Sequence, residues 1–258
     1  MSNNNIQWIA YKTVLYRELH RIFRIWKQTL LPPAITISLY FLIFGNFIGQ
    51  RIGQFQGVPY INFIVPGLIM MAVITNSFGN VVASFYGVRF QKNIEEMQVS
   101  PMSSAVMLLG YITGGVARGM MIGVIVTFIS LFFSKLTIFS LGVTIYTMVL
   151  TSTLFALAGL INAIFAKSFD DTTIVLNFVL TPLTYLGGVF YSIKMLPPIW
   201  KKISLLNPIL HLVSIFRYGF LGIADVPVYE TLTGLTLLII ALGIWTHWLL
   251  KKGVGIRT

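Results

Sequence analysis

Arginine is a costly residue in the middle of an apolar run, and GGVARGMMIG, residues 114–123, holds one at Arg118. A charge at that depth is tolerated when it faces protein, water or a headgroup. Arg118 is therefore a contact for an anionic substrate or lipid phosphate, or else a buried tether to a neighbouring helix. Asn76, Asn80 and Ser84 recur at i, i+4 and i+8, which puts them on one helix face. There they line a polar path or bond to adjoining helices. LLNPILHLVSIFRYGFLG, residues 205–222, keeps Asn207, Pro208, His211 and Arg217 among aliphatic side chains. Asn207 ahead of Pro208 reads as the cap and first residue of a helix. Arg217 lies roughly 15 Å further along a straight helix, and needs carbonyl or lipid-phosphate partners of its own near a membrane boundary. None of this is a hydrolytic or redox centre. The chain has no cysteine, hence no thiol nucleophile, disulfide or Cys-based metal site. His20, His211 and His247 are scattered and suggest no metal site or catalytic triad. No Gly-Lys pair occurs, so the phosphate-cradling G-x-x-x-x-G-K-[ST] loop is missing. The polypeptide by itself reads as no enzyme, with no metal or cofactor of its own.

The elements that hold these residues follow from composition. Of 258 residues, 56% are hydrophobic and only 10% charged, against roughly 25% charged in a soluble domain, and mean hydropathy is +0.84. That implies an all-α integral membrane protein. The net charge of +11 is dispersed between apolar runs, which suits anionic membrane lipid and orientation, with no continuous patch for nucleic acid. Residues 1–28 carry Lys12, Arg17, Arg21, Arg24 and Lys27 before the first long apolar run, so no cleaved signal peptide is expected. Trp8, Leu15, Leu19, Ile22 and Trp26 recur at helical spacing, with Arg17, Arg21 and Arg24 mostly on another face. This predicts an amphipathic helix lying in the interface.

Six runs reach the length of about 20 residues that a crossing needs, near 29–49, 61–86, 105–133, 138–166, 172–191 and 230–250. Six crossings place both termini on one side. That side receives eleven Lys and Arg (the five above, Arg89, Lys92, Lys167, Lys251, Lys252 and Arg257), and the other receives six (Arg51, Lys135, Lys194, Lys201, Lys202 and Arg217). The bias assigns both termini to the cytoplasm. One membrane domain is expected over 1–258, with a six-span bundle at 29–250 and a cytoplasmic tail at 251–258. Gly115, Gly119 and Gly123 recur every four residues around Arg118 and predict close helix approach. In KSFDD, Asp171 ahead of Thr172 and Thr173 reads as the N-cap of the next helix, with Lys167 and Asp170 beside it. The segment after the fifth span is too proline-broken to cross and too apolar for a solvated loop, so a re-entrant or interfacial helical hairpin is predicted between spans five and six.

LTPLTYLGGVFYSIKMLPPIWKKISLLNPILHLVSIFR, residues 180–217, resembles the C-terminal signature of ABC type-2 exporter permeases. The match comprises the small pair Gly187 and Gly188, then Leu196 and Pro197, then Pro208, Ile209, His211 and Arg217. The likeness extends over the whole layout. It implies that Asn207 and the signature residues belong to an extracytoplasmic hairpin capping an export path. It also implies a homodimer in the bacterial inner membrane, paired with two copies of a separate ATP-binding subunit that holds ATP and Mg²⁺. RFQKNIEEMQVSPMS, residues 89–103, has a helix-forming charged core closed by Ser100 and Pro101. By itself this reads equally as a solvated loop. By resemblance it is the coupling helix that docks on the ATPase, through Arg89, Glu95, Glu96, Met97 and Pro101. The expected function is the permease subunit of an ATP-driven exporter of an amphipathic, lipid-linked or polysaccharide-type substrate or drug. The alternative is a membrane scaffold of the same fold without transport. Ion-coupled transport would need acids embedded in the membrane, whereas all seven acids lie in the N-terminal segment, loops or span ends.

Overall fold

The computed structural model describes residues 3–91 and 101–254, and is helical almost throughout. Glu95, Glu96 and Met97 lie outside the described residues. An initial helix, α1 (Asn3–Arg24), leads into the first span, α2 (Trp26–Ile52). A two-residue-stranded hairpin follows, Gln54–Phe55 against Val58–Pro59, turning through Gln56 and Gly57 at positive φ. The next spans are α3 (Tyr60–Phe90), α4 (Ser104–Ser130) and α5 (Leu141–Phe165). A shorter helix, α6 (169–185), then enters the hairpin α7 (Pro198–Leu205) and α8 (Pro208–Leu221), which are bent by 87° to each other. The last span is α9 (Val228–Lys252).

Helix α3 is the central column, with 78% of its most apolar stretch buried, while those of α2 and α9 are 17% buried and leave apolar faces outward. Small residues allow the others to close on it. A Cβ at Gly115 would lie 2.6 Å from Val81 Cγ2, one at Gly119 would run into Ser77 and Ser152, and one at Gly159 would lie 2.6 Å from the Phe78 carbonyl oxygen. The predicted Gly115, Gly119 and Gly123 ridge is thus the packing face of α4. Two apolar cores result. The larger runs from Ile37 and Tyr60 through Leu68, Val189 and Phe216 to Leu235. The smaller gathers Phe85, Tyr86, Tyr111 and Ile164 with Leu249 and Leu250, at the end of the bundle where α1 packs.

Three expectations need correction. The fifth span ends at Tyr185, short of the predicted 191, because Gly187 and Gly188 turn the chain, Gly188 at φ +69°. Its 17 residues from 169 to 185 rise about 25 Å, the lower limit for a crossing. Within it Val175–Leu180 is a π-helical segment. Pro182 removes the N–H that would bond Phe178, and Thr181 instead reaches five residues back, its hydroxyl donating to the Leu176 carbonyl at 2.9 Å. Second, the N-cap of α6 is Ser168. Its hydroxyl accepts from Asp171 N at 3.2 Å, and the Asp171 carboxylate accepts from Ser168 N at 3.0 Å, a reciprocal capping box. Third, the predicted apolar face of α1 does not turn inward as one: Ile22 is buried in a stripe with Val14 and the acid Glu18, whereas Trp8 and, at the start of α2, Trp26 are exposed, as are Arg17 and Arg24.

Candidate functional site

The polar residues assemble into two constellations at opposite ends of the bundle. At the α1 end, the carboxylate of Glu18 is 1% exposed and accepts from Arg21 at 2.9 Å, from Arg17 at 3.5 Å and from the Ser84 hydroxyl. Arg21 also donates to Asn80 Oδ1 at 2.8 Å and to the Asn80 carbonyl at 3.2 Å. Arg17 donates to Tyr111 Oη at 2.8 Å, with its guanidinium 5.5 Å from the ring. A carboxylate withdrawn from water needs paired charge and satisfied lone pairs, and these partners supply both while fastening α1 to α3 and α4. One step deeper, Arg118 donates to Asn76 Oδ1 at 3.1 Å and to the Thr29 carbonyl at 3.4 Å, joining α4, α3 and α2. Bonding between helices thus accounts for Asn76, Asn80 and Ser84, and Arg118 is tethered to protein.

The connection between α3 and α4 is anchored at both described ends. Arg89 donates to the carbonyls of Ala163, Ile164 and Ala166 at 2.8–3.0 Å, capping the C-terminal end of α5, where a cation also meets the negative end of the helix dipole. On the far side, Gln7 of α1 clasps the exit of the connection, donating to the Pro101 carbonyl at 2.6 Å and accepting from Ser103 N at 2.9 Å. Ser103 then caps α4.

At the hairpin end, Asn207 caps α8 by accepting from Ile209 N at 3.0 Å, and its amide donates to the Leu183 carbonyl of α6 at 2.6 Å. Pro208 occupies the first turn behind it, as predicted. Arg217, 2% exposed, donates to the Gly188 carbonyl at 2.7 Å and the Phe63 carbonyl at 3.2 Å, and lies 3.8 Å over the Phe63 ring. Asp225 faces it at 3.8 Å, accepts from Ser192 Oγ at 2.7 Å, and through its backbone N–H bonds Ser214. Gly187 and Gly188 fit between α6 and α8, since a Cβ at Gly187 would stand 2.6 Å from Ile209 Cγ2. On the other side of the seam, a Cβ at Gly67 of α3 would stand 2.8 Å from the Val189 carbonyl. The signature residues Gly187, Gly188, Asn207, Pro208 and Arg217 thus meet in one seam. Pro197 stands apart, exposed, as the residue that opens α7. His211 faces a separate groove with Glu230, its Nε2 2.8 Å from the Leu205 carbonyl.

Glu18, Asp225, Tyr111 and Gln7 escaped the reading of the sequence. The one available signal was that Glu18 is an acid inside a basic helix, with arginines one before and three after it.

Comparison with known proteins agrees with this architecture. Residues 9–221 match the ABC-2 type transporter family. The chain is 54% identical over 254 residues to the inner membrane transport permease YadH of Escherichia coli K12, covering 98% of this chain and 99% of that one. It is 24% identical to nodulation protein J of Neorhizobium galegae over 78% of this chain and 79% of the other, and 23% identical to nodulation protein J of Rhizobium meliloti over 85% and 83%. The chain therefore belongs to the ABC-2 type transporter family, as one of its membrane-spanning permease subunits.

Proposed function

We propose that this chain is the membrane half of an ATP-driven exporter in a bacterial inner membrane, with both termini cytoplasmic. It works as a homodimer with two copies of a separate ATP-binding subunit, which holds the nucleotide and Mg²⁺. The observation that carries this reading is the near full-length 54% identity to an inner membrane transport permease. The outward apolar faces of α2 and α9 suit contact with lipid and with a second copy. ATP hydrolysis in the partner supplies the energy, and the 89–103 connection receives the motion. Arg89 holds one end of that connection on α5, and Gln7 links the other to α1. Movement there is passed to α3 and α4 through the Glu18 and Arg21 contacts, and the path between the copies opens to an amphipathic, lipid-linked or polysaccharide-type substrate or drug.

The test is to solubilise the tagged protein gently from its native membrane and identify copurifying proteins by mass spectrometry. A stoichiometric ATPase is expected, and Glu95→Lys with Glu96→Lys should insert normally yet lose both that partner and transport. Normal export by the double variant would remove the acids from coupling. An intact protein with no nucleotide-binding partner would favour a membrane scaffold.

A further inference from the structure

Beside the Glu18 contacts lies a cleft of about 590 Å³ between α1 and the C-terminal half of α3. Its walls carry Arg17, Arg21, Arg24 and His20 against the single carboxylate of Glu18. Glu18 is spent on Ser84, Arg21 and Arg17. Among the described residues no carboxylate lies within ion-pair distance of Arg24, and the buried Nε of Arg21 has no hydrogen-bond partner. Gly87 of α3 lines the cleft, and a Cβ there would meet nothing within 4 Å, so a larger side chain at that position has room to enter the space. Phe23 of α1 and Trp26 at the start of α2 are exposed, 57% and 49%, as suits a segment whose apolar residues enter the headgroup and acyl boundary.

From this geometry we infer that the cleft is a binding site for the phosphate of an anionic membrane lipid, held by Arg24 and Arg21. Guanidinium groups match phosphate oxygens in charge and fork geometry. A net excess of two positive charges in a recess at the membrane surface selects acidic over zwitterionic headgroups. The lipid would complete the seam that α1 makes with α3, as a resident of the fold distinct from whatever is transported.

The experiment uses the purified full-length chain in mild detergent, following thermal unfolding while phosphatidylglycerol, phosphatidylcholine or inorganic phosphate is added. Phosphatidylglycerol should raise the melting temperature saturably and phosphatidylcholine should not. Two variants leave the Glu18 contacts alone: Arg24→Gln removes a ligand, and Gly87→Leu fills the recess. Each should melt near the parent temperature without lipid and need about tenfold more phosphatidylglycerol for the same shift. Equal stabilisation by both lipids, or undiminished response in both variants, would overturn the site. An equal shift with inorganic phosphate would overturn the lipid as its source.

Discussion

The two ends of this bundle are held together by different means. At the α1 end Gly110 and Gly114 of α4 admit Val14 and Glu18 of α1, but α1 is joined to α3 and to the exit of the 89–103 connection by long side chains, Arg21, Glu18 and Gln7, with a cleft beside them. At the hairpin end glycine backbones are closely covered: Gly67 by the Val189 backbone, Gly187 by the Ile209 side chain, and Arg217 fills the remaining space with carbonyl bonds. Long flexible side chains tolerate displacement of the elements they join, whereas close-packed backbone has few alternative arrangements. The α1 end therefore suits an element that must be moved from outside, and the hairpin end one that shifts as a unit.

The sharpest way to break this contrast is Arg217→Ala. It removes the donor to Gly188 and Phe63 and leaves Asp225 buried beside an empty space, 5% exposed. Stripping one partner from a buried charge pair costs about 3–5 kcal/mol. The expected result is a large fall in melting temperature, with hydrogen exchange rising first in α8 and around Gly188. If exchange rose equally in α1, the two ends would not be independent.

The sequence made part of this legible, for physical reasons. Long apolar runs mark spans because lipid forces every backbone group into helix, so α2 to α5 and α9 were readable to within a few residues at most ends. Asn207 and Pro208 were readable because capping is local. The inward face of α1 was not, since periodicity shows two faces but not which one has a partner: in the polar stripe of α3, Asn80 and Ser84 meet Arg21 and Glu18 of α1, while Asn76 meets Arg118 of α4. Arg217 announced itself as a misplaced charge, but Asp225 as its partner depends on the chain folding back after α8, which no local pattern encodes. The early end of α6 was written in Gly187 and Gly188, yet a glycine pair in an apolar segment is equally compatible with close packing inside a span.

Glu18→Gln tests the other end with a smaller expected effect. Gln preserves the shape and can still meet Ser84, but Arg21 and Arg17 lose their counter-charge. Arg21 retains Asn80 and is 22% exposed, and Arg17 is 42% exposed, so solvent compensates part of the loss. About 2 kcal/mol is expected, read as a moderate fall in melting temperature with faster hydrogen exchange in α1 and an unchanged α8. A loss as large as that of Arg217→Ala would show that the α1 end is as rigidly determined as the hairpin, and the contrast would fall.

The smallest effect on stability is expected from Gln7→Ala, and it discriminates most sharply on function. Its two bonds to Pro101 and Ser103 are exposed, so losing them costs about 1 kcal/mol and the melting temperature should barely move. Yet within the described residues this clasp is a direct hydrogen-bonded link between α1 and the exit of the 89–103 connection. If motion enters through that connection and leaves through α1, the reconstituted complex should hydrolyse ATP at the parent rate while moving less substrate per ATP. Gln7→Glu offers a control, because a carboxylate can still accept from Ser103 N but has no N–H for Pro101, and should fall between parent and alanine variant. An unchanged transport-to-hydrolysis ratio in both would mean that α1 is carried passively, and that force reaches the bundle through Arg89 and α5.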